Sequence, residues 1–251
     1  MNLKLAFGAG AACAALMMGA AASADDGGFY VGAFAGLHFP EDVQLNGFNA
    51  ANQVRAIEAR LDNGTVYGAA VGYAGRDHSF GRWRAEVETS FRSADLDGLA
   101  LNGVDRTVLD GSEVSTVAAL VNVAYDTPKF FDRLRFSAGA GFGLAVIDHE
   151  IRYLVANAAA IGSIPGNLQI AIPSSEATYA YQLLGGADFA LTNRLSLTTE
   201  FRYVKQGDVD AERFILNSII NGVATTNGTL DSILESKHDF KALTFGLRYR
   251  F

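Results

Sequence analysis

The segment WRAEVETSFR, residues 83–92, alternates apolar and polar side chains along its whole length. Successive side chains of a β-strand point to opposite faces, so Trp83, Val87 and Phe91 share one face. Arg84 and Glu88 then lie on the other face, together with Glu86 and Arg92. Large apolar groups opposite charged ones are typical of a strand between lipid and a polar lumen. The segment therefore predicts one strand of a transmembrane barrel.

Seven further segments alternate in a similar way, and their connections suggest how they are arranged. The links after the second, fourth and sixth strands are short, whereas the others are roughly 20 to 30 residues long, as in barrels with short periplasmic turns. We predict an all-β fold, an eight-stranded antiparallel up-and-down transmembrane barrel with long extracellular loops. A soluble lipocalin-like barrel would need the reverse polarity, with an apolar interior. The predicted strands are 29–39, 65–73, 83–92, 114–125, 134–147, 178–191, 195–205 and a terminal strand that ends at Phe251.

The first 24 residues have the pattern of a secretory signal peptide. Lys4 precedes an apolar run, and the small residues Ala22, Ser23 and Ala24 form an A-x-A cleavage pattern. An anchor helix is the alternative, but the run is shorter than the ~20 apolar residues of a normal span. A lipoprotein would need Cys13 as its acylated residue. We expect cleavage near Ala24 and a barrel domain over residues 25–251, without cysteine and hence without disulfides.

The charge balance excludes some partners. The chain has 20 basic and 27 acidic residues, a net charge of −7, and loss of Lys4 with the leader would make it −8. A net negative chain is a poor partner for nucleic acid or for an anionic surface. Such a balance is compatible with surface loops that bind cations.

The two ends of the predicted barrel resemble those of small outer-membrane β-barrels of the opacity and OmpA types. The opening GFYVGA, residues 28–33, and the closing FGLRYRF, residues 245–251, carry this resemblance. It implies the outer membrane of a Gram-negative bacterium, contact with lipid and lipopolysaccharide, the barrel-assembly machinery as a partner, a monomer and no cofactor. The alternating terminal residues resemble the family's assembly signal, namely Phe245, Leu247, Tyr249 and Phe251.

The predicted register places several charges inside the barrel, where eight strands leave a lumen that side chains can just fill. Since charges in such a space must be paired, we predict an ion-pair network that plugs the barrel. The alternative is a narrow ion path through the same residues. The inward charges are Arg84, Glu86, Glu88, Arg92, Asp188, Glu200, Arg202, Arg248 and Arg250.

Three histidines fall near the outer ends of predicted strands with inward parity: His38, His149 and His238. Imidazoles at one rim could bind a transition metal, which makes them weak candidates for a metal site. Solvated histidines at the loop bases are the alternative, and we expect no metal. The adjacent pair His238 and Asp239 suggests the acid-base chemistry of a lipid A-modifying enzyme, but neighbouring side chains in a strand diverge. We therefore expect no catalytic residues.

The long loops are the expected site of specific function, because loops on a rigid scaffold carry binding. Residues 52–61 and 211–220 show partly helical spacing, and a third loop around Pro165 and Pro173 is uncharged over a long stretch, so it could be mobile or form a cap. We predict a structural envelope protein whose loops bind or adhere to a host or cell-surface ligand, with a narrow channel as the alternative. An apolar patch for such contacts, which could instead pack over the barrel mouth, comprises Phe214, Ile215, Ile219 and Ile220.

Overall fold

The computed structural model describes residues 27–156, 167–216, 218–220, 223–225 and 228–251. The predicted leader and part of the third loop, including Pro165, lie outside these residues. Within them, no helix has the length and apolar character needed to cross a bilayer. The strands are β1 Gly28–Pro40, β2 Val43–Asn49, β3 Val54–Leu61, β4 Gly64–Ala74, β5 Arg82–Leu101, β6 Val104–Val108, β7 Glu113–Asp126, β8 Leu134–Ala156, β9 Asn167–Ala190, β10 Leu195–Gln206, β11 Val209–Ile215, β12 Ser218–Ile220, β13 Val223–Thr225, β14 Thr229–Ser236 and β15 Asp239–Arg250.

Strands β1, β4, β5, β7, β8, β9, β10 and β15 form what we call the lower ring. Each strand pairs antiparallel with the next in this order, and β15 pairs back with β1. The return to β1 leaves no unpaired strand edge in this series. Every one of the eight segments predicted from alternation lies in, or within one residue of, one of these strands.

The outer face of the lower ring is apolar on all eight strands. Each strand contributes to this face at least one large apolar side chain that is roughly two-fifths or more exposed. A continuous exposed apolar belt is the surface that lipid, rather than water, would cover. One representative from each strand is Phe29, Tyr67, Val87, Val121, Phe142, Leu183, Phe201 and Phe245.

A second series of pairings, which we call the upper ring, continues beyond the lower one. It runs through β2, β3, β5, β6, β8, β9, β11 and β14 and returns to β2. Strands β5, β8 and β9 belong to both rings because they are 20, 23 and 24 residues long. The sequence placed the ends of these strands too early, at residues 92 and 147, and the start of the sixth predicted strand too late, at residue 178.

The interior of the upper ring is an apolar core, whereas the lower lumen was expected to contain charged side chains. Along β5 the inward face changes from charged residues to Ala94, Leu99 and Leu101. The outer face carries exposed polar groups such as Glu58 and Glu212. The core comprises Val43, Leu45, Ile57, Ala59, Leu99, Leu101, Val114, Ile147, Ile151, Tyr153, Ile170, Ile172, Val209, Ala211 and Leu234.

The partly helical interpretation of residues 52–61 and 211–220 is wrong. Ile57 and Ala59 alternate inward on β3, while Val209 and Ala211 do so on β11. Pairing with neighbouring strands decides the conformation, because it satisfies the backbone and buries these side chains together. The described part of the third loop is likewise strand, with Ile172 in the upper core.

The apolar core of the upper ring generates a prediction with a matched control on one strand. Leu234 is fully buried, whereas Ile233 beside it is 52% exposed on the outer face. Leu234→Ala should lower the free energy of unfolding by about 2–5 kcal/mol, and Ile233→Ala by about 0.5 kcal/mol or less. Urea unfolding in detergent micelles measures both. Equal losses would contradict the assigned faces of β14.

Candidate functional site

The lower lumen contains a buried cluster of ionised side chains. Four come from alternate positions of β5, which point inward because the intervening residues form the lipid-facing belt. The other two, Glu200 and Arg202, lie on β10 across the lumen. Arg84, Glu86, Glu88, Arg92, Glu200 and Arg202 are each no more than 6% exposed.

Arg202 links two carboxylates at the centre of this cluster. Its Nη1 donates to Glu88 Oε1 at 2.5 Å, and its Nη2 donates to Glu200 Oε2 at 2.6 Å. Arg84 approaches from β5, where its Nη1 donates to Glu86 Oε2 at 3.0 Å and its Nη2 lies 3.7 Å from Glu200 Oε1. Two arginines thus contact three carboxylates across the lumen.

Neutral side chains complete the cluster, and sequence reasoning missed them. Asn122 Nδ2 donates to Glu86 and Glu88 at 3.1 and 2.9 Å, and Gln182 Nε2 donates to Asn122 Oδ1 at 2.8 Å. Tyr30 OH donates to Glu86 Oε2 at 2.5 Å. Their inward parity on β7, β9 and β1 was a usable signal in the sequence.

A glycine makes room for this arrangement. A Cβ at Gly141 would lie 1.8 Å from Asn122 Oδ1 and 3.2 Å from a Gln182 side-chain carbon. Any larger residue would therefore displace the amide that holds Glu86 and Glu88. The inward glycines of β8 allow a narrow lumen to hold long polar side chains from the facing strands.

Ion pairs continue toward the end of the lower ring that carries the short connections. Arg248 Nη1 donates to Asp188 Oδ2 at 2.7 Å, and its Nη2 donates to Glu200 Oε1 at 3.4 Å. Arg82, which was not among the predicted residues, donates to Asp126 at 2.9 Å. Of the predicted lumen charges, Arg250 lies half-buried at this end as the last residue of β15.

At the opposite side of the cluster, aromatic rings separate the charges from the apolar core. The Arg92 guanidinium lies 3.8 Å from the centroid of Phe240, and Arg202 lies 4.2 Å from that of Phe34. His38 Nε2 donates to the Ser93 carbonyl at 2.9 Å, and its ring packs edge-on against Phe240. Arg92 is thus stacked on an aromatic ring instead of joining the central ion pairs.

Two of the three candidate histidines meet inside the barrel. His149 Nε2 and His238 Nε2 are 2.9 Å apart, and Ser236 Oγ lies 2.6 Å from His238 Nε2. Burial lowers the pKa of His149 to about 4, and burial together with His149 lowers the pKa of His238. Both imidazoles are therefore neutral at pH 7, so the Nε2 of one donates a hydrogen bond to the Nε2 of the other.

The histidine pair offers little for metal or acid-base chemistry in this arrangement. His38 packs elsewhere, and no group of three His, Cys, Asp or Glu suited to a metal ion occurs within the residues described. Ser236 is fully buried at the base of the apolar core. Asp239 is turned away from His238 and pairs with Lys205 at 3.1 Å. A hydroxyl beside an imidazole resembles a nucleophile and its base, but this one has no exposed surface for a substrate.

The four residues predicted to form the assembly signal lie at the end of β15 and just after it. Phe245, Leu247 and Tyr249 face outward and are 39–55% exposed. Tyr249 and Phe251 pack edge-on with ring centroids 5.5 Å apart. These apolar groups belong to the lipid-facing belt, and their role in assembly stays a prediction.

The central ion pairs generate a second prediction. Arg202→Met keeps an apolar stem but leaves Glu88 and Glu200 buried without their shared cation, so it should cost about 3–5 kcal/mol of unfolding free energy. Lys205→Met, on the same strand as Arg202, removes an exposed ion pair with Asp239 and should leave the stability nearly unchanged. Urea midpoints of unheated samples measure the two losses. Equal midpoints for both variants would show that the Arg202 pairs do not hold the lumen together.

Comparisons with known proteins agree with this architecture. The outer membrane protein OprG from Pseudomonas aeruginosa has a TM-score of 0.55 at 13% identity, with 91% of this chain and 98% of that chain covered, a likeness of fold. Neisserial surface protein A scores 0.45 at 12% identity, with 89% and 97% covered. No curated protein sequence matches. The model of the outer membrane protein beta-barrel domain matches residues 9–251. The chain therefore belongs to the outer membrane protein β-barrel domain family.

Proposed function

We propose that this protein is a closed, non-enzymatic outer-membrane barrel that displays its upper ring at the cell surface. The observation that carries the proposal is the reversal of polarity along β5. From Trp83 to Phe91 its outer face is apolar and its inner face charged, whereas from Ala94 to Leu101 its inner face is apolar. A strand of this kind fits lipid over its first half and water over its second.

The connections support an orientation. The links between β4 and β5, β7 and β8, and β9 and β10 span only residues 75–81, 127–133 and 191–194. They lie at the end opposite the upper ring, and short turns of such barrels face the periplasm. We infer that the eight strands of the lower ring form the membrane wall and that the upper ring projects outside.

Both parts of the lumen are filled, which argues for a structural and binding role. The lower lumen contains the ion pairs of Arg84 and Arg202, and the upper lumen contains the apolar core. A hydrated ion would have to break the ion pairs of the lower lumen. It would then have to cross the apolar core, which offers no polar groups to replace its water, at a high desolvation cost. A narrow channel is therefore the less favoured function.

The outer surface of the upper ring supports a role in contacts with other molecules. Phe48 pairs with Ile233 on one side and with Val54 on the other, and all three are more than half exposed. Exposed apolar clusters mark interaction sites. Of the apolar patch expected from the sequence, Ile215 packs against the core. The side chains of Ile219 and Ile220 lie outside the described residues, so their part of the patch stays a prediction.

The remaining parts of the proposal follow from the family and the leader pattern. The chain is exported, loses residues 1–24, and is folded by the barrel-assembly machinery into a monomer within lipid and lipopolysaccharide. A role without catalysis is supported by Ser236, because its hydroxyl lies beside the His238 imidazole but is fully buried.

Conductance tests the closed lumen. Purified protein inserted into planar bilayers should give no current steps, because the ion pairs and apolar core leave no hydrated path, while a hydrophilic porin serves as positive control. Stepwise currents would contradict the proposal. If their cation selectivity fell in Glu88→Gln and not in the exposed control Glu58→Gln, the protein would be a narrow channel.

A further inference from the structure

The open end of the upper ring contains a cavity of about 330 Å³. It lies above the apolar core, among the ends of the strands that reach the loop tips. Its walls are apolar on several sides, and its base is the core itself, so the cavity is a blind pocket. The apolar walls come from Leu101, Val104, Val155, Leu168, Ile170 and Ile215.

The polar groups of this pocket carry an excess of positive charge. Three arginines line it against a single carboxylate, Asp231. Asp231 accepts hydrogen bonds from Arg55 Nε, at 3.2 Å, and from Arg213 Nη1. Arg213 Nε donates to Tyr153 OH at 2.7 Å. Two of the three cations thus share one anion, which leaves the pocket attractive to a second anion.

Arg106 is the cation that is free for such an anion. Its Nε is buried and has no hydrogen-bond partner among the described residues. Arg106 as a whole is half-buried and lines the pocket, and none of the ion pairs of the described residues includes it, so a bound anion would balance its charge. A carboxylate matches the planar guanidinium because two oxygens can accept from two N–H groups.

We propose that this pocket binds a carboxylate carried on one short apolar chain. The volume corresponds to roughly eleven heavy atoms at about 30 Å³ for each water-sized group and lies at the lower end of the ~300–1,000 Å³ typical of small-molecule sites. The carboxylate pairs with Arg106, and the chain lies against Leu168, Ile170 and Ile215. The inference goes beyond surface display and rests on it only for access from outside.

Octanoate, with ten heavy atoms, is the probe. Calorimetric titration into protein in lipid nanodiscs, with empty discs subtracted, should show one saturable site. Octylammonium and 1-octanol should bind about tenfold or more weakly, since they lose the charge-assisted hydrogen bonds to Arg106. Acetate should not bind measurably, because it lacks the apolar chain.

Two variants and one control localise the site. Arg106→Gln should weaken octanoate binding about tenfold or more. Val104→Glu places a carboxylate at a half-exposed wall position and should weaken it similarly by repulsion, so it decides the matter if Arg106→Gln does not fold. Arg60→Gln is the control, because Arg60 pairs with Asp105 on the exposed outer surface nearby and should leave binding unchanged.

Two outcomes would overturn the proposal. One is the lack of any saturable heat from octanoate with protein that migrates as folded in unheated gels. The other is equal binding of octanoate and 1-octanol that neither pocket variant changes, which would indicate an apolar cavity without carboxylate recognition. Either result removes the pocket alone and leaves the closed barrel standing, because conductance measures that property independently.

Discussion

Backbone hydrogen bonding that continues without a free edge through two environments is the constraint on which this structure depends. In lipid every N–H and C=O must be paired within the protein, and the lower ring does this by returning to β1. Strands β5, β8 and β9 then extend beyond the belt of exposed apolar residues, and of their pairings only the one between β8 and β9 continues. Their extensions need new neighbours, and β2, β3, β6, β11 and β14 supply them.

The two rings are stabilised by different physics because their surroundings differ. In the lower ring the apolar side chains face outward, so the lumen is filled with hydrogen-bonded charges, each dependent on its partners. Arg202 illustrates this dependence, since two carboxylates and an aromatic ring surround it. In the upper ring the hydrophobic effect operates as in a soluble protein, and Leu234 and Ile147 are both fully buried in one apolar cluster. The histidine pair lies where the two regimes meet.

Alternation along the chain was enough to locate the strands of the lower ring, because lipid forces a strict division between faces such as those of Val87 and Glu88. It failed for β3 and β11, which are only eight and seven residues long, because so few apolar positions fit helical spacing and strand alternation alike. Parity also could not reveal that His149 meets His238, 89 residues away. Such contacts depend on how far each side chain reaches across a narrow lumen, which a single strand does not encode.

The most direct test of the account is the accessibility of single cysteines on intact cells. The chain has one cysteine, Cys13, which lies in the expected leader, so introduced thiols can be labelled specifically. A membrane-impermeant maleimide should label Ile233→Cys and Glu212→Cys on the outside of the upper ring, and should not label Val87→Cys or Val121→Cys in the lipid-facing belt. Equal labelling of Val87→Cys, or labelling of Ile233→Cys only after the cells are broken, would contradict the proposed division of this barrel between membrane and cell surface.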